Sequence, residues 1–395
     1  MRKLLTCLLF CVVVAANAQN TISGIVLNAK DRTPVEFASV YINGTAKGAY
    51  TDAKGAFAIA DVAAPCQLIV SHIQYDVKQI QIQIINTEKI KIYLNEKSVE
   101  LSDIEVVGTS KRKDIIAEFK NIFLGKDKWG KNAILKNADA LYFSRRVDTI
   151  PVSNYVEQKT NNETFQVLSA KSKTPLFIEL PLLGYDVCVD LVTFEIKTSG
   201  DWSECNYWAY YRFMPYNVVT KPQQANYEKK RQSVYYNSSK HFCQSIFNRK
   251  LKENGYLLSF VNPKDSSDTT SVFFDIKDYI QRIDSTEIMI VGLKGQKIHI
   301  DYFCNKNGSP VDLTVNSYEQ SDKKNVWKKR DIDQTSLVMF RSDTCIIRFN
   351  GTTPNMDVMF DGRIAANRVG TFLPTDYVPQ KIVKPSTKKK TKDAD

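Results

Sequence analysis

Thr51-Asp52-Ala53-Lys54-Gly55-Ala56-Phe57-Ala58-Ile59 is the stretch that decides the fold of the N-terminal part of the chain. It is a tight turn that opens into an alternating apolar run, the pattern of a strand with one buried face. Asp52 is suited to accept hydrogen bonds from the backbone of its own turn, and Gly55 to take the positive φ that closes it. Side chains alternate across a strand, so Phe57 and Ile59 point to the same side, into a core.

The same pattern recurs on both sides of this turn. Gly24-Ile25-Val26 leads through Pro34 into Val35-Glu36-Phe37-Ala38-Ser39-Val40-Tyr41-Ile42. Downstream come Leu68-Ile69-Val70-Ser71, then Ile80, Ile82 and Ile84 on one face with Gln79, Gln81 and Gln83 on the other, then Ile90, Ile92 and Leu94. Leu101-Ser102-Asp103-Ile104-Glu105-Val106-Val107-Gly108 closes the set. Residues 21–107 therefore predict one small β-sandwich, with domain boundaries at 19 and 108.

Gly24, Pro34, Ala38, Val40, Gly48, Thr51, Asp52, Gly55, Phe57, Leu68, Ser71 and Tyr75 together resemble the carboxypeptidase-regulatory-like domain, a transthyretin-like sandwich. One departure is Gln74, where that family places Gly before the Tyr. The resemblance implies a non-catalytic scaffold or binding module. Such domains also precede the plug and barrel of TonB-dependent outer-membrane receptors. A barrel of ~22 strands, each ~10 residues long, does not fit in the rest of this chain, which is therefore not read as such a receptor.

The chain has 395 residues, enough for two or three domains with real cores. Its 43% hydrophobic and 25% charged content is ordinary for a globular protein, while 19 Tyr and 20 Phe tilt the expectation toward β structure. Arg2 and Lys3, the apolar run Leu4 to Ala15 and the small residues Ala16-Asn17-Ala18 read as a signal peptide over 1–18, cleaved between Ala18 and Gln19. Cys11 lies inside the apolar run after Leu8-Leu9-Phe10, which does not suit a lipidation site. No later stretch approaches the ~20 uncharged apolar residues of a membrane helix. The expected address is the periplasm or the outer membrane. The formal charge of +11 is concentrated at the ends, since residues 381–395 carry six Lys against two Asp. That tail reads as disordered and solvated, with peripheral adhesion to anionic envelope material as its functional alternative. No nucleic-acid motif is visible.

Beyond the sandwich, Ile115, Ile116, Phe119, Ile122 and Phe123 form one apolar stripe, with Asp114 near the helix start and Gly125 at its end. Residues 109–129 are thus expected to be a linker helix. Residues 130–380 are expected to be a β-rich domain of unknown function, so that the whole is mostly β with an α+β C-terminal part. Strands are predicted over Leu176–Leu180, 182–196, 202–213, 257–261, 272–276, 287–291, 297–303, 311–318 and 345–349. A second helix is predicted over about Ser239–Asn254, capped by Ser238 or Ser239 and ended by Gly255. Ile122 to Gly125, Pro175 to Glu179, Leu183-Gly184-Tyr185, Tyr235 to Phe242 and Arg368 to Pro374 look like landmarks of envelope proteins in which this β-rich domain comes after the sandwich. That resemblance implies no activity.

Chemistry-bearing patterns are sparse. A zinc carboxypeptidase needs His-x-x-Glu, but the three histidines His72, His241 and His299 are followed at the third position by Tyr75, Gln244 and Tyr302. No Gly-x-Ser-x-Gly elbow occurs, and His241 and Cys243, at i and i+2 of a helix, do not face one another. No catalytic residue, cofactor or metal ligand is assigned. After the signal, Cys66, Cys188, Cys205, Cys243, Cys304 and Cys345 remain, allowing up to three disulfides or a set of buried thiols. A turn at Ser199-Gly200 would set Cys188 opposite Tyr211 and Cys205 opposite Phe194, which argues against joining those two. Trp202 to Tyr216 is the densest aromatic stretch; Tyr207, Tyr211 and Phe213 share one strand face, Trp208 and Tyr210 the other. Trp202, Trp208 and Tyr210 are the candidate binding aromatics, against the plainer account of a strand buried on both sides. Asp148-Thr149-Ile150, Asp268-Thr269-Thr270 and Asp284-Ser285-Thr286 look like O-glycosylation acceptors or ordinary turns. The expected function is an exported, non-catalytic envelope protein that binds or scaffolds a protein or glycan partner. The alternatives are an envelope hydrolase with its site in the C-terminal domain, or a periplasmic adaptor for a TonB-dependent transporter.

Overall fold

The Asp52 turn forms as its residues predict. Asp52 Oδ1 accepts from the amides of Lys54 (2.9 Å) and Ala56 (2.8 Å), and Gly55 takes φ +71°. Thr51 adds a contact that periodicity does not show: its buried hydroxyl donates to the Val35 carbonyl (2.7 Å) and accepts from the Ala38 amide (2.8 Å). The computed structural model describes residues 20–86, 88–97, 109–154, 159–200, 202–261, 274–305, 308–314, 336–354 and 357–380. The signal segment with Ala18 and Gln19, the closing run Leu101–Gly108, the triplet at Asp268 and the tail 381–395 lie outside these.

Seven strands make the sandwich: β1 (Ile22–Asn28), β2 (Ser39–Ile42), β3 (Gly48–Tyr50), β4 (Ala56–Ile59), β5 (Cys66–His72), β6 (Tyr75–Ile82) and β7 (Ile90–Leu94). One sheet runs β4-β1-β7, with β1 and β7 parallel; the other runs β3-β2-β5-β6. Between them Val26, Val40, Phe57, Ile59, Leu68, Val70, Ile92 and Leu94 form the core. Ile84, expected on the inner face, lies past the end of β6 and is 82% exposed. Gln74 does not prevent the turn: His72 pairs with Tyr75, so Ile73 and Gln74 close a two-residue hairpin without glycine.

Helix α1 (Thr109–Phe123) continues the chain, then α2 (Lys128–Asn132). The predicted stripe is real, with Ile115, Phe119 and Phe123 buried. Asp114 is not at the helix start, because α1 begins five residues earlier. A six-stranded sheet comes next: β8 (Ile134–Leu135), β9 (Leu141–Asn154), β10 (Lys159–Ser172), β11 (Leu176–Leu180), β12 (Tyr185–Ser199) and β13 (Trp202–Pro215). β12 is its trunk. It pairs along its whole length with β13, and on its other edge with β11 at one end and β10 at the other.

The β12–β13 turn differs from expectation. Ser199 pairs with Trp202 and Gly200 takes φ +56°, so Cys205 stands opposite Ile196. A bulge between Leu191 and Thr193 shifts the register again and places Cys188 opposite Arg212.

The chain divides into two compact units, and the division falls inside residues 130–380. The first holds the sandwich, α1, α2, the six-stranded sheet and Arg368–Gly370; the second holds Leu182–Gly184, Asn217–Asn367 and the segment from Thr371. The second unit contains α3 (Lys221–Tyr235), α4 (Ser239–Phe247) and strands β14 (Tyr256–Phe260), β15 (Ile280–Arg282), β16 (Glu287–Val291), β17 (Lys297–Tyr302), β18 (Ser336–Phe340), β19 (Thr344–Arg348) and β20 (Val358–Gly362). They form sheets ordered β14-β17-β18-β20 and β15-β16-β19. Phe242, Ile246 and Phe247 of α4 fill one core with Leu258, Ile290, Ile300, Val338 and Ile347.

Ser238 caps α4 as predicted, but the helix ends at Phe247, short of Gly255. Ile276–Tyr279 is a 3-10 turn rather than part of a strand, because the Asp275 side chain caps it through the Lys277 amide. Asp312 likewise holds Thr314 in a turn inside the strand predicted over 311–318, whose later residues lie outside the described ones. Helix α3 is not among the elements that periodicity predicts.

Gly24 sits between Phe57 on β4 and Ile90 on β7. A Cβ there would meet the Ile90 carbonyl and the Phe57 ring. We therefore expect Gly24→Ala to destabilise the sandwich by about 1–3 kcal/mol, read as a lower denaturation midpoint at unchanged slope.

Candidate functional site

The predicted aromatics lie on β13, whose two faces have different neighbours. Tyr207 packs against Phe123 of α1 (5.2 Å between ring centroids) and lies beside Phe194 of β12. Tyr210 points to the other face, where it joins Tyr41 and Ile69 of the sandwich in a small apolar cluster. The bulge makes this possible. Asp190 and Phe194 are four residues apart and would share a face on a regular strand, but the extra residue puts them on opposite sides.

The hairpin is locked to the sandwich by polar groups. Asp190, 5% exposed, accepts from the Tyr41 hydroxyl at Oδ2 (2.5 Å) and from the Ser71 hydroxyl at Oδ1 (2.5 Å). Burial raises the Asp190 carboxyl above its ordinary value, against the pull of those two hydrogen bonds and of Lys97. Burial and the Asp190 charge also push the Tyr41 hydroxyl well up. Tyr210 donates to Gln79 Oε1 (2.7 Å). Arg212 donates through Nη1 to Ser39 (2.8 Å), and its guanidinium lies 4.7 Å from the Tyr50 ring centroid.

The outer edge of β13 is covered as well. The Gly44 amide donates to the Tyr211 carbonyl (2.7 Å), the Tyr211 amide to Asn43 Oδ1 (2.9 Å) and the Phe213 amide to the Thr45 carbonyl (2.9 Å). The β2–β3 connection thus satisfies backbone groups that an edge strand would leave open.

Of the three candidate aromatics, Tyr210 is therefore buried, with its hydroxyl used internally. Trp208 is 40% exposed, edge-on to Tyr210 at 6.4 Å. Trp202 lies on β13, with its side chain outside the described part. Phe37 and Tyr50 of the sandwich are more open, at 71% and 59%, and Phe37 is held at φ +58°. A bulky residue in the left-handed region is strained, and the strain is sustained here by the Phe37 amide donating to the Thr51 carbonyl (3.0 Å).

The second unit holds another group of buried polar residues. His241 Nδ1 lies 2.8 Å from the Tyr256 hydroxyl and accepts from the Asn237 amide (3.3 Å), among the rings of Tyr235, Tyr236 and Tyr302. Burial pushes the imidazole down to about 3, so it is neutral and serves as an acceptor. Lys240 Nζ donates to the carbonyls of Pro374 and Tyr377, both at 2.9 Å. Glu228 Oε1 accepts from the Tyr377 hydroxyl (2.8 Å) and the Gln380 amide (2.7 Å). Arg231 holds the Leu183 carbonyl through Nε (2.8 Å), and the Tyr227 ring covers Gly184.

Cys188, Cys205, Cys243, Cys304 and Cys345 are free thiols. Burial pushes Cys188 and Cys243 up to about 12 and Cys205 to about 11, which keeps these sulfurs protonated. Among the described residues, no group of three or more His, Cys, Asp or Glu side chains is placed to hold a metal ion. Thr149 and Ser285 of the remaining triplets are exposed, and Asp284 holds a turn through the Thr286 amide (2.6 Å) and hydroxyl (2.8 Å).

These features define a class: a small two-sheet module bonded through buried polar groups to a β-rich body. Residues 22–107 match the family described as the CarboxypepD_reg-like domain, and a further β-rich region lies beyond them. No curated protein matches the chain. Among solved structures, one described as a "putative membrane-associated protein of unknown function" from Bacteroides fragilis NCTC 9343 is 12% identical. That match covers 50% of this chain and 97% of the other, at a TM-score of 0.16. No helix among the described residues is long and apolar enough to cross a membrane.

Sequence reading missed the docking face, although a signal for it existed. Tyr41 and Ile69 are apolar at outward positions of β2 and β5, giving the near-continuous runs of strands buried on both sides. Asp190→Ala would leave the Tyr41 and Ser71 hydroxyls buried and unpaired, and we expect a loss of about 1–3 kcal/mol in denaturant unfolding. The raised Asp190 carboxyl also means that the folded chain holds this proton more tightly than the unfolded one. The stability of wild type relative to Asp190→Asn should therefore fall as pH rises from 3.8 through the raised value, and level off above it.

Proposed function

We propose that the protein is an exported cell-envelope protein that works without catalysis, offering a rigid surface to a protein or glycan partner. The observation that carries this reading is the division of labour among its side chains. Asp190, Glu228, Lys240 and His241, the groups best suited to acid–base work, are bound to internal hydroxyls, amides and carbonyls. Phe37, Tyr50 and Trp208 instead stand exposed on a braced β framework. Aromatic side chains supply large contact area at low entropic cost when they are held in place. The N-terminal module matches the CarboxypepD_reg-like family, and that resemblance implies a non-catalytic scaffold or binding module. The signal-like N-terminus supports an envelope address.

The test is affinity capture of the mature chain from envelope extract with quantitative mass spectrometry, and a glycan array in parallel. A saturable ligand is expected, bound at least about tenfold more weakly by Trp208→Ala or Tyr50→Ala, the loss typical of a central aromatic contact. Turnover of a peptide or polysaccharide panel, with no ligand retained, would reverse the reading in favour of a hydrolase.

A further inference from the structure

Arg212 of β13 is only 9% exposed, yet it has no ion-pair partner among the described residues. A buried guanidinium without a counter-charge is costly, because it has left water and nothing opposite has replaced it. Asp190 stands one pair further along the same face of the hairpin, but its two oxygens are taken by Tyr41 and Ser71. We propose that Arg212, with Ser39 and the exposed ring of Tyr50, forms a subsite for a carboxylate-bearing sugar, a hexuronate unit of an acidic polysaccharide. The inference rests on the binding role proposed above and supplies the chemistry of the ligand.

The way Arg212 is held leaves one edge of its fork free. Its side chain crosses the outer face of the β2–β3 pair at Gly48, where a Cβ would come 3.1 Å from Nε. Nη1 donates to Ser39, which pairs directly with Tyr50 across the two strands. Nε is buried without a partner, and Nη2 likewise has none among the described residues. Nε and Nη2 are the parallel donors of the side-on edge, spaced for the two oxygens of one carboxylate. An oxygen there would meet the unpaired Nε and return the cost of its desolvation.

The flanking rings decide between kinds of carboxylate. Arg212 covers one face of Tyr50, and the ring is otherwise 59% exposed. Phe37, two residues before Ser39 and 71% exposed, is fixed at φ +58° by its bond to the Thr51 carbonyl. Flat rings held in place offer stacking to the apolar faces of pyranose sugars, while the guanidinium takes the acid group. A peptide carboxylate is less suited to this place. Strand addition needs an open edge of several residues, and β3 has three.

Calorimetric titration of the mature chain with trigalacturonate and trimannuronate, each beside its methyl ester, tests the assignment. The ester keeps the shape of the sugar and removes its charge. At least one acid trimer is expected to bind, and its ester at least about tenfold more weakly, the loss typical of removed charge-assisted hydrogen bonds. With arginines labelled by nitrogen-15, the Arg212 Nε–H signal, assigned by its disappearance in Arg212→Lys, should shift with the acid and not with the ester. Arg212→Lys keeps the charge but loses the fork, and should also bind the acid at least about tenfold more weakly. The acid–ester comparison in wild type needs no variant to fold. Equal binding of acid and ester, or acid binding that leaves the Nε–H signal in place, would overturn the subsite and leave the wider binding role standing. So would a carboxylate-terminated peptide that moves this signal where neither trimer does. Failure of both trimers, while envelope extract yields a saturable ligand, would overturn the subsite alone; failure of every ligand would overturn both readings.

Discussion

The first unit depends on burying both faces and one edge of a single hairpin, β12–β13. One face takes the aromatic stripe of α1, with Phe119 4.7 Å from Phe194 between ring centroids. The other receives the outward side of the β2–β5 pair, and the loop Asn43-Gly44-Thr45 closes the edge. A regular strand could not put Asp190 toward the sandwich and Phe194 toward the helix. The bulge after Leu191 resolves that conflict at the cost of one interrupted ladder step. The CarboxypepD_reg-like module is thereby bonded into its unit rather than joined by a free linker.

Burial governs the chemistry of both units in the same direction. Asp190 is shifted upward, His241 and Lys240 downward, and the thiols of Cys188, Cys205 and Cys243 upward, each toward its neutral form. Each of the three charged or imidazole groups is also given hydrogen-bond partners, because an unpaired polar group in an apolar interior costs more than the bond returns. These residues thus act as directional fasteners. Asp190 fixes which face of β12 meets the sandwich, and Lys240 with Glu228 fixes the path of residues 374–380.

Local chemistry made some of this legible in advance. Asp52 and Gly55 act within a few residues of each other, so their turn could be read directly. The stripe of α1 and the Ser238 cap are local in the same sense. Helix α3 was also within reach, since Thr220 and Gln223 form a capping box with Pro222 in the first turn. It was missed because its faces are polar nearly all round, with only Glu228 and Tyr235 buried. β9 and β10 escaped for a related reason: much of their length pairs only with each other, and polar residues such as Asn161, Asn162 and Glu163 leave little apolar alternation to read.

The amino-acid sequence by itself determined the mostly-β class, the Asp52 turn of the sandwich, its inward-facing set apart from Ile84, and the absence of a carboxypeptidase zinc motif. These arise from period-two alternation and from side chains that bond within their own turn. Only the tertiary structure decided that Tyr210 is an internal strut while Trp208 is open, that Cys188 lies opposite Arg212, and that Asp190 and Lys240 are fasteners. A bulge, a shifted turn and a contact between residues more than a hundred positions apart leave no local trace, because their energies come from neighbours that folding alone brings together.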